Sequence, residues 1–149
     1  MNKEINASRN LTMLTDFYQL TMMDGYLSSG IHEEIATFDL FFRQRGQINY
    51  AVAAGLEQAI EYLKDLHFSA EDIEYLRSLN TFTDKFLDYL KDLRFTGDIY
   101  SVREGEIVFP MEPIMIVRAP LIQAQLVETA LLTIISHQTL IATKASRVT

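Results

Sequence analysis

Two short stretches and one helix face in this 149-residue chain have the residue types to do chemistry. The first is the opening of LTDFYQLTMMDGYLSSG, Leu14 to Gly30. A helix that only has to pack shows a plain apolar stripe, but this one begins with Thr15, Asp16, Tyr18 and Gln19. Asp16 suits the positive end of a helix, an interaction of roughly 0.3–1 kcal/mol. Tyr18 reads on spacing alone as a half-buried aromatic with a wet hydroxyl. The second is Arg43, directly after the apolar run IATFDLFF. It is either a solvated strand end or a planar, permanently charged fork aimed at a phosphate or carboxylate. The third is the pair Lys144 and Arg147, whose spacing puts both on one helix face. That face is either a small anion-binding edge or a solvated one.

Other chemistries are absent. There is no cysteine, which excludes a disulfide framework and a thiolate metal site. Gly25, Gly30, Gly46, Gly55, Gly97 and Gly105 are too scattered for a Walker loop or a dinucleotide fingerprint. His32, His67 and His137 lack metal-ligand spacing and read as surface or helix-end residues. Nothing ties them to a serine, so no Ser-His-Asp set can be nominated. A net charge of −7 argues against a nucleic-acid partner, which calls for a basic face. It leaves room for an anionic small molecule, because a pocket can concentrate a few Arg and Lys. MNKEINASRN lacks the apolar core of a signal peptide. Leu121 to Ile135 is interrupted by Gln123, Gln125, Glu128, Thr129 and Thr133, too short and polar a run to span a bilayer. A cytoplasmic location is expected.

The elements that must position these residues follow from periodicity. After a loose lead-in over 1–14, Thr15 is expected to cap a helix with Phe17, Leu20, Met23, Tyr26 and Leu27 inward, ending at Ser28-Ser29-Gly30. Ile35 to Arg43 alternates as a strand, and RQRGQINY is its polar exit loop. Gly55 to Leu66 is helical with Leu56, Ala59, Ile60 and Leu63 inward. Ser69 and Thr83 cap two short helices, whose charged runs EDIEYL and TDKFLDYLKD face solvent. YLKDLHFS and YLKDLRFT echo each other 27 residues apart and read as similar helix exits, not a solenoid. GDIYSV, EIVF and PIMIVRA suggest a small hairpin assembly. PLIQAQLVETALLTIIS is a helix apolar on most sides, hence buried from more than one direction, and HQTLIATKASRVT continues it or starts another. Phe38, Phe41, Phe42 and the methionines are expected in the core. So buried a helix, with no stop signal after it, leads us to expect the N-terminal part of a longer protein or a chain whose core is completed by a partner.

The order of the segments is distinctive. LTDFYQLTMMDGY, ATFDLFFR, NYAVAAGLEQAIEYL, VREGEIVFPMEPIMIVRAPLIQAQLVETALLTII and IATKASRV together resemble the N-terminal part of the nicotinate phosphoribosyltransferases. The likeness runs from Leu11 to Val148. It implies an α/β fold: an N-terminal α/β (α+β) domain with short hairpin strands over 1–120, with 121–149 leading into an incomplete α/β barrel of the type II phosphoribosyltransferases. It also implies the joining of nicotinate to phosphoribosyl pyrophosphate with ATP hydrolysis and Mg²⁺, in a dimer whose active sites lie at the subunit boundary. By the same resemblance Tyr18 lays its ring against the pyridine, Asp16 supports that wall or contacts the base, and Arg43 contacts the phosphates of the ribosyl donor. Lys144 and Arg147 sit near the barrel entrance. The family's phosphate loops and phosphate-accepting histidine fall beyond Thr149, and His137 does not occupy that motif. No catalytic residue is therefore assigned in this chain, which is expected to be inactive alone. Two alternatives differ in kind: a non-catalytic module binding a partner through its apolar C-terminal helix, and part of a nicotinamide-specific enzyme.

Overall fold

The computed structural model describes residues 10–43, 46 and 49–148. The lead-in over 1–9, part of the expected exit loop and Thr149 lie outside the described residues. The chain order is α1 (Phe17–Ser29), β1 (Ile35–Phe41), β2 (Ala51–Val52), α2 (Leu56–Lys64), α3 (Ala70–Ser78), α4 (Asp84–Asp92), β3 (Asp98–Ser101), β4 (Ile107–Val108), β5 (Pro113–Pro120) and α5 (Leu121–Val148). Helix and strand are mixed, as an α/β fold requires.

β5 is the central strand of an antiparallel sheet ordered β1-β5-β3. The expected hairpin assembly is split. β3 and β5 do pair, but β4 leaves them and pairs with β2, drawn from YAVAAG. A two-residue strand carries too little periodicity to be read from sequence. α5 packs against β1, β2, β5, α1 and α2, while α3 and α4 pack on each other. α5 is one continuous helix of 28 residues. By length and composition it is long enough to cross a membrane, unlike the shorter run read from sequence, and 44% of its most apolar window is buried inside the domain. Ile122, Leu126, Val127, Ala130, Leu131 and Ile135 are all within the core.

The short helices obey local rules. Ser69 forms a capping box with Asp72, and Thr83 Oγ1 accepts from the Phe86 N–H. Gly30 ends α1 in the left-handed region. The YLKDL echoes are both helix exits, at the ends of α2 and α4. α2 is capped from a distance: Gly55 has no side chain to offer, and Glu104 Oε1 accepts from the Gly55 and Leu56 N–H groups at 2.9 and 2.5 Å. A carboxylate there also complements the helix dipole. In α2, Tyr62 is buried where Ile60 was expected, and burial raises its hydroxyl pKa. Phe17 is half-exposed and rests on Phe82 at 5.7 Å between ring centres. Phe38, Phe41 and Phe42 are only partly buried, and Met22 and Met111 are exposed, so the core is narrower than expected.

β3 begins where Gly97 lies against the central strand. A Cβ on Gly97 would stand 2.4 Å from the Ala119 Cβ and 2.7 Å from the Arg118 carbonyl oxygen. Restricting the unfolded chain by Gly→Ala favours folding by about 0.4–1 kcal/mol, but overpacking of this kind costs about 1–3 kcal/mol, so the clash wins. Gly97→Ala is expected to lower the urea midpoint of the domain, with m unchanged; an unchanged midpoint contradicts the close approach.

Candidate functional site

The first turn of α1 is not built as its own cap. Asp16 occupies the N-cap position that Thr15 was expected to hold, yet its carboxylate makes no capping hydrogen bond. It turns instead to α5, where Thr129 Oγ1 donates to Asp16 Oδ2 at 3.3 Å. Thr15 Oγ1 is buried without a hydrogen bond among the described residues. Gln19, fully buried, donates through Nε2 to Glu128 Oε2 at 2.8 Å and to the Tyr18 hydroxyl at 3.2 Å. Gln125 Nε2 donates to Gln19 Oε1, and the Tyr26 hydroxyl donates to Gln125 Oε1 at 3.2 Å. The polar opening of LTDFYQ is therefore spent on gripping the first half of α5. Tyr18 keeps 54% of its surface exposed at the edge of this network.

Glu128 joins that network to a cleft between β1 and α5. One part of the cleft, about 400 Å³, is walled by Thr37, Phe38, Val117, Ala124, Val127 and Leu131. The adjoining part, about 580 Å³, is bordered by Arg43, Phe42, Ala51, Ser136, Thr139 and Thr143. Asp39, Leu40, Phe41, Glu128 and Leu132 border both. Three features steer the chain toward Arg43. The β1–β5 register shifts between Leu40 and Phe41, where Ile114 of β5 is passed over without a partner in β1. Phe109 to Glu112 form a turn, with Pro110 and Met111 at its centre and the Glu112 N–H on the Phe109 carbonyl at 3.1 Å. Met111 holds φ at +69°, a conformation uncommon outside glycine, while its N–H donates to the Phe42 carbonyl at 3.1 Å. Arg43 is exposed and makes no ion pair among the described residues.

The far end of the cleft is tied to β2 by two threonines of α5. Thr143 Oγ1 accepts from the Val52 N–H at 2.9 Å, and Thr139 Oγ1 accepts from the Ala54 N–H at 3.1 Å. Arg147 lies over the Tyr50 ring at 4.9 Å, and hydrogen bonds from Ser146 and Arg147 lower the Tyr50 hydroxyl pKa. Lys144 is exposed on the same turn.

The candidate residues thus fall into separate groups along α5. Asp16 bonds to its first half and Tyr18 is joined to it through Gln19, Arg43 shares the cleft that Glu128 borders, and Lys144 and Arg147 stand at its last turns. From Thr129 to Arg147 a helix rises roughly 27 Å, so Asp16 and Arg147 do not share a pocket within one chain. In the sequence Gln125 and Glu128 read as mere interruptions of an apolar run. The usable signal was their spacing: Gln125, Glu128, Thr129, Ser136, Thr139 and Thr143 recur at helical intervals and form a polar stripe. Among the described residues no three His, Asp or Glu side chains converge as a metal site.

The family model for the nicotinate phosphoribosyltransferase N-terminal domain matches residues 13–136. The chain belongs to that family. It is 53% identical over 140 residues to the nicotinate phosphoribosyltransferase of Bacillus subtilis (strain 168), covering 93% of this chain and 29% of the relative. It is 42% identical over 138 residues to the nicotinate phosphoribosyltransferase pncB2 of Mycobacterium tuberculosis, covering 91% of this chain and 29% of the relative. Among solved structures, human nicotinic acid phosphoribosyltransferase superposes with a TM-score of 0.82 at 34% identity, over 90% of this chain and 28% of the human one. The chain spans under a third of the length of these relatives.

The threonine ties give a direct check on the cleft wall. Thr143→Val keeps the shape but leaves the Val52 N–H without its acceptor, at a cost of about 1–3 kcal/mol. Amide hydrogen exchange at Val52 is expected to accelerate at least tenfold, with exchange in β1 and β5 unchanged; unaltered exchange at Val52 contradicts the tie.

Proposed function

We propose that this domain supplies half of the substrate pocket of a nicotinate phosphoribosyltransferase. In that reaction the pyridine nitrogen bonds to C1 of the ribose as the C1–O bond to pyrophosphate breaks, giving nicotinate mononucleotide on the way to NAD. The reading rests on the family membership. One structural observation carries this domain's part in it: Arg43 stands at the rim of a cleft, exposed and without an acidic partner among the described residues, just past a strand bulge. An unneutralised guanidinium fits a ligand that brings concentrated negative charge, and it offsets that charge further as pyrophosphate departs. An exposed ring such as Tyr18 offers a flat base a face that limits its orientations. The transition state has oxocarbenium character, so positioning and charge neutralisation matter more than a protein nucleophile.

Asp16 supports the Tyr18 wall through its tie to Thr129. Lys144 and Arg147 extend the cationic side toward the remainder of the enzyme. Because the two groups on α5 are far apart in one chain, the proposal places the pocket of Tyr18 at a boundary with a second copy, in a cytoplasmic homodimer acting on small molecules. ATP and Mg²⁺ belong to the proposed coupled reaction. No step here runs through them.

The test is steady-state kinetics of the complete enzyme, read as pyrophosphate release. Arg43→Ala is expected to raise KM for phosphoribosyl pyrophosphate at least tenfold, the scale of a lost charge-assisted hydrogen bond. Tyr18→Ala is expected to raise KM for nicotinate by a similar factor. Wild-type kinetics in both variants refutes the assignment.

A further inference from the structure

The hydrogen-bond network around Gln19 has a direction, and the direction fixes what Tyr18 can do. An ionised carboxylate only accepts hydrogen bonds. Glu128 Oε2 therefore takes one N–H of the Gln19 amide, at 2.8 Å, and the reversed amide would set oxygen against oxygen. With Nε2 pinned on that side, its second N–H lies on the Tyr18 hydroxyl at 3.2 Å. Gln19 Oε1 is left facing Gln125 Nε2, and Gln125 Oε1 takes the Tyr26 proton at 3.2 Å. Every polar atom of the Gln19 amide is engaged, and the residue is fully buried.

The Tyr18 oxygen is thus an acceptor toward the protein. Among the described residues its own proton is donated to no group, and Tyr18 is 54% exposed. We propose that Gln19 is a positioning residue which, oriented by Glu128, holds Tyr18 as a hydrogen-bond donor to an anionic oxygen of a bound substrate. This rests on the phosphoribosyltransferase reading and deepens it: Tyr18 contributes a directed proton in addition to its ring. The anionic oxygen is the carboxylate of nicotinate or a phosphate oxygen of the ribosyl donor, and kinetics separates the two.

The experiment is a double-mutant cycle in the complete enzyme with Tyr18→Phe, Gln19→Met and the pair. Tyr18→Phe keeps the ring and removes only the proton. It is expected to raise KM about tenfold, for nicotinate if the carboxylate is the acceptor or for phosphoribosyl pyrophosphate if a phosphate is, with kcat within twofold. Gln19→Met is expected to raise the same KM, and the pair to be no worse than Tyr18→Phe alone, since both remove one interaction. If Gln19→Met does not fold, Glu128→Gln replaces it, removing the charge that pins the amide, and the same non-additivity is expected. The inference is overturned if Tyr18→Phe moves neither KM, or if the two effects multiply. It fails separately from the broader reading: an enzyme that releases no pyrophosphate from nicotinate and phosphoribosyl pyrophosphate refutes the function itself, whereas an active enzyme with an additive cycle refutes only the role of Gln19.

Discussion

A buried primary amide binds α1 to α5. Gln19 has no exposed surface, and burying an amide without partners costs roughly 1–3 kcal/mol on mutational scales. The site is tolerable only because Glu128, Gln125 and Tyr18 take up all of its hydrogen-bonding capacity. That requirement fixes more than stability. Apolar packing by Leu20, Met23 and Leu27 would let α1 slide or rotate a little along its partner, since such contacts are non-directional. Hydrogen bonds are directional, so Asp16 and Tyr18 are held in one place above α5.

α5 then acts as the common reference for everything with a candidate role. Its first half grips the first turn of α1, its next turns wall the cleft that ends at Arg43, and its later threonines hold β2. The helix can do this because Gln125, Glu128, Thr129, Ser136, Thr139 and Thr143 recur along it at helical intervals, while Ile122, Leu126, Val127, Ala130, Leu131 and Ile135 enter the core. On the other side of the cleft, β5 pairs with β1 up to the bulge, and the Met111 turn catches the Phe42 carbonyl just before Arg43. The unusual φ of Met111 is retained at this point, where a turn and a strand end must meet.

What could be read in advance was mostly what is local. The caps at Ser69 and Thr83 lie within three residues of their partners, so type and spacing disclosed them. The Gly30 stop and the alternation in Ile35 to Phe41 were legible for the same reason. The cap of α2 was not, because Glu104 reaches Gly55 from 49 residues away. Nor was the departure of β4 from its neighbours toward β2, a pairing decided by tertiary packing. The site divides along the same line. Asp16, Tyr18 and Arg43 stood out by residue type and by the resemblance of their motifs. Gln19 stood out only as one member of a polar first turn and Glu128 only as a break in an apolar run, since a glutamine and a glutamate 109 residues apart acquire their joint role only when the fold brings them together. Thr15 misled, because a hydroxyl before a helix is a cap only if the following turn does not look elsewhere for its partners.

The most direct measurement is a crystal structure of the complete enzyme holding nicotinate and an unreactive analogue of phosphoribosyl pyrophosphate. The account predicts the Tyr18 side chain and the Arg43 guanidinium within contact distance, about 4 Å, of the bound molecules, with the Gln19–Glu128 hydrogen bond intact beneath them. Both side chains remote from either molecule in every protomer would contradict it.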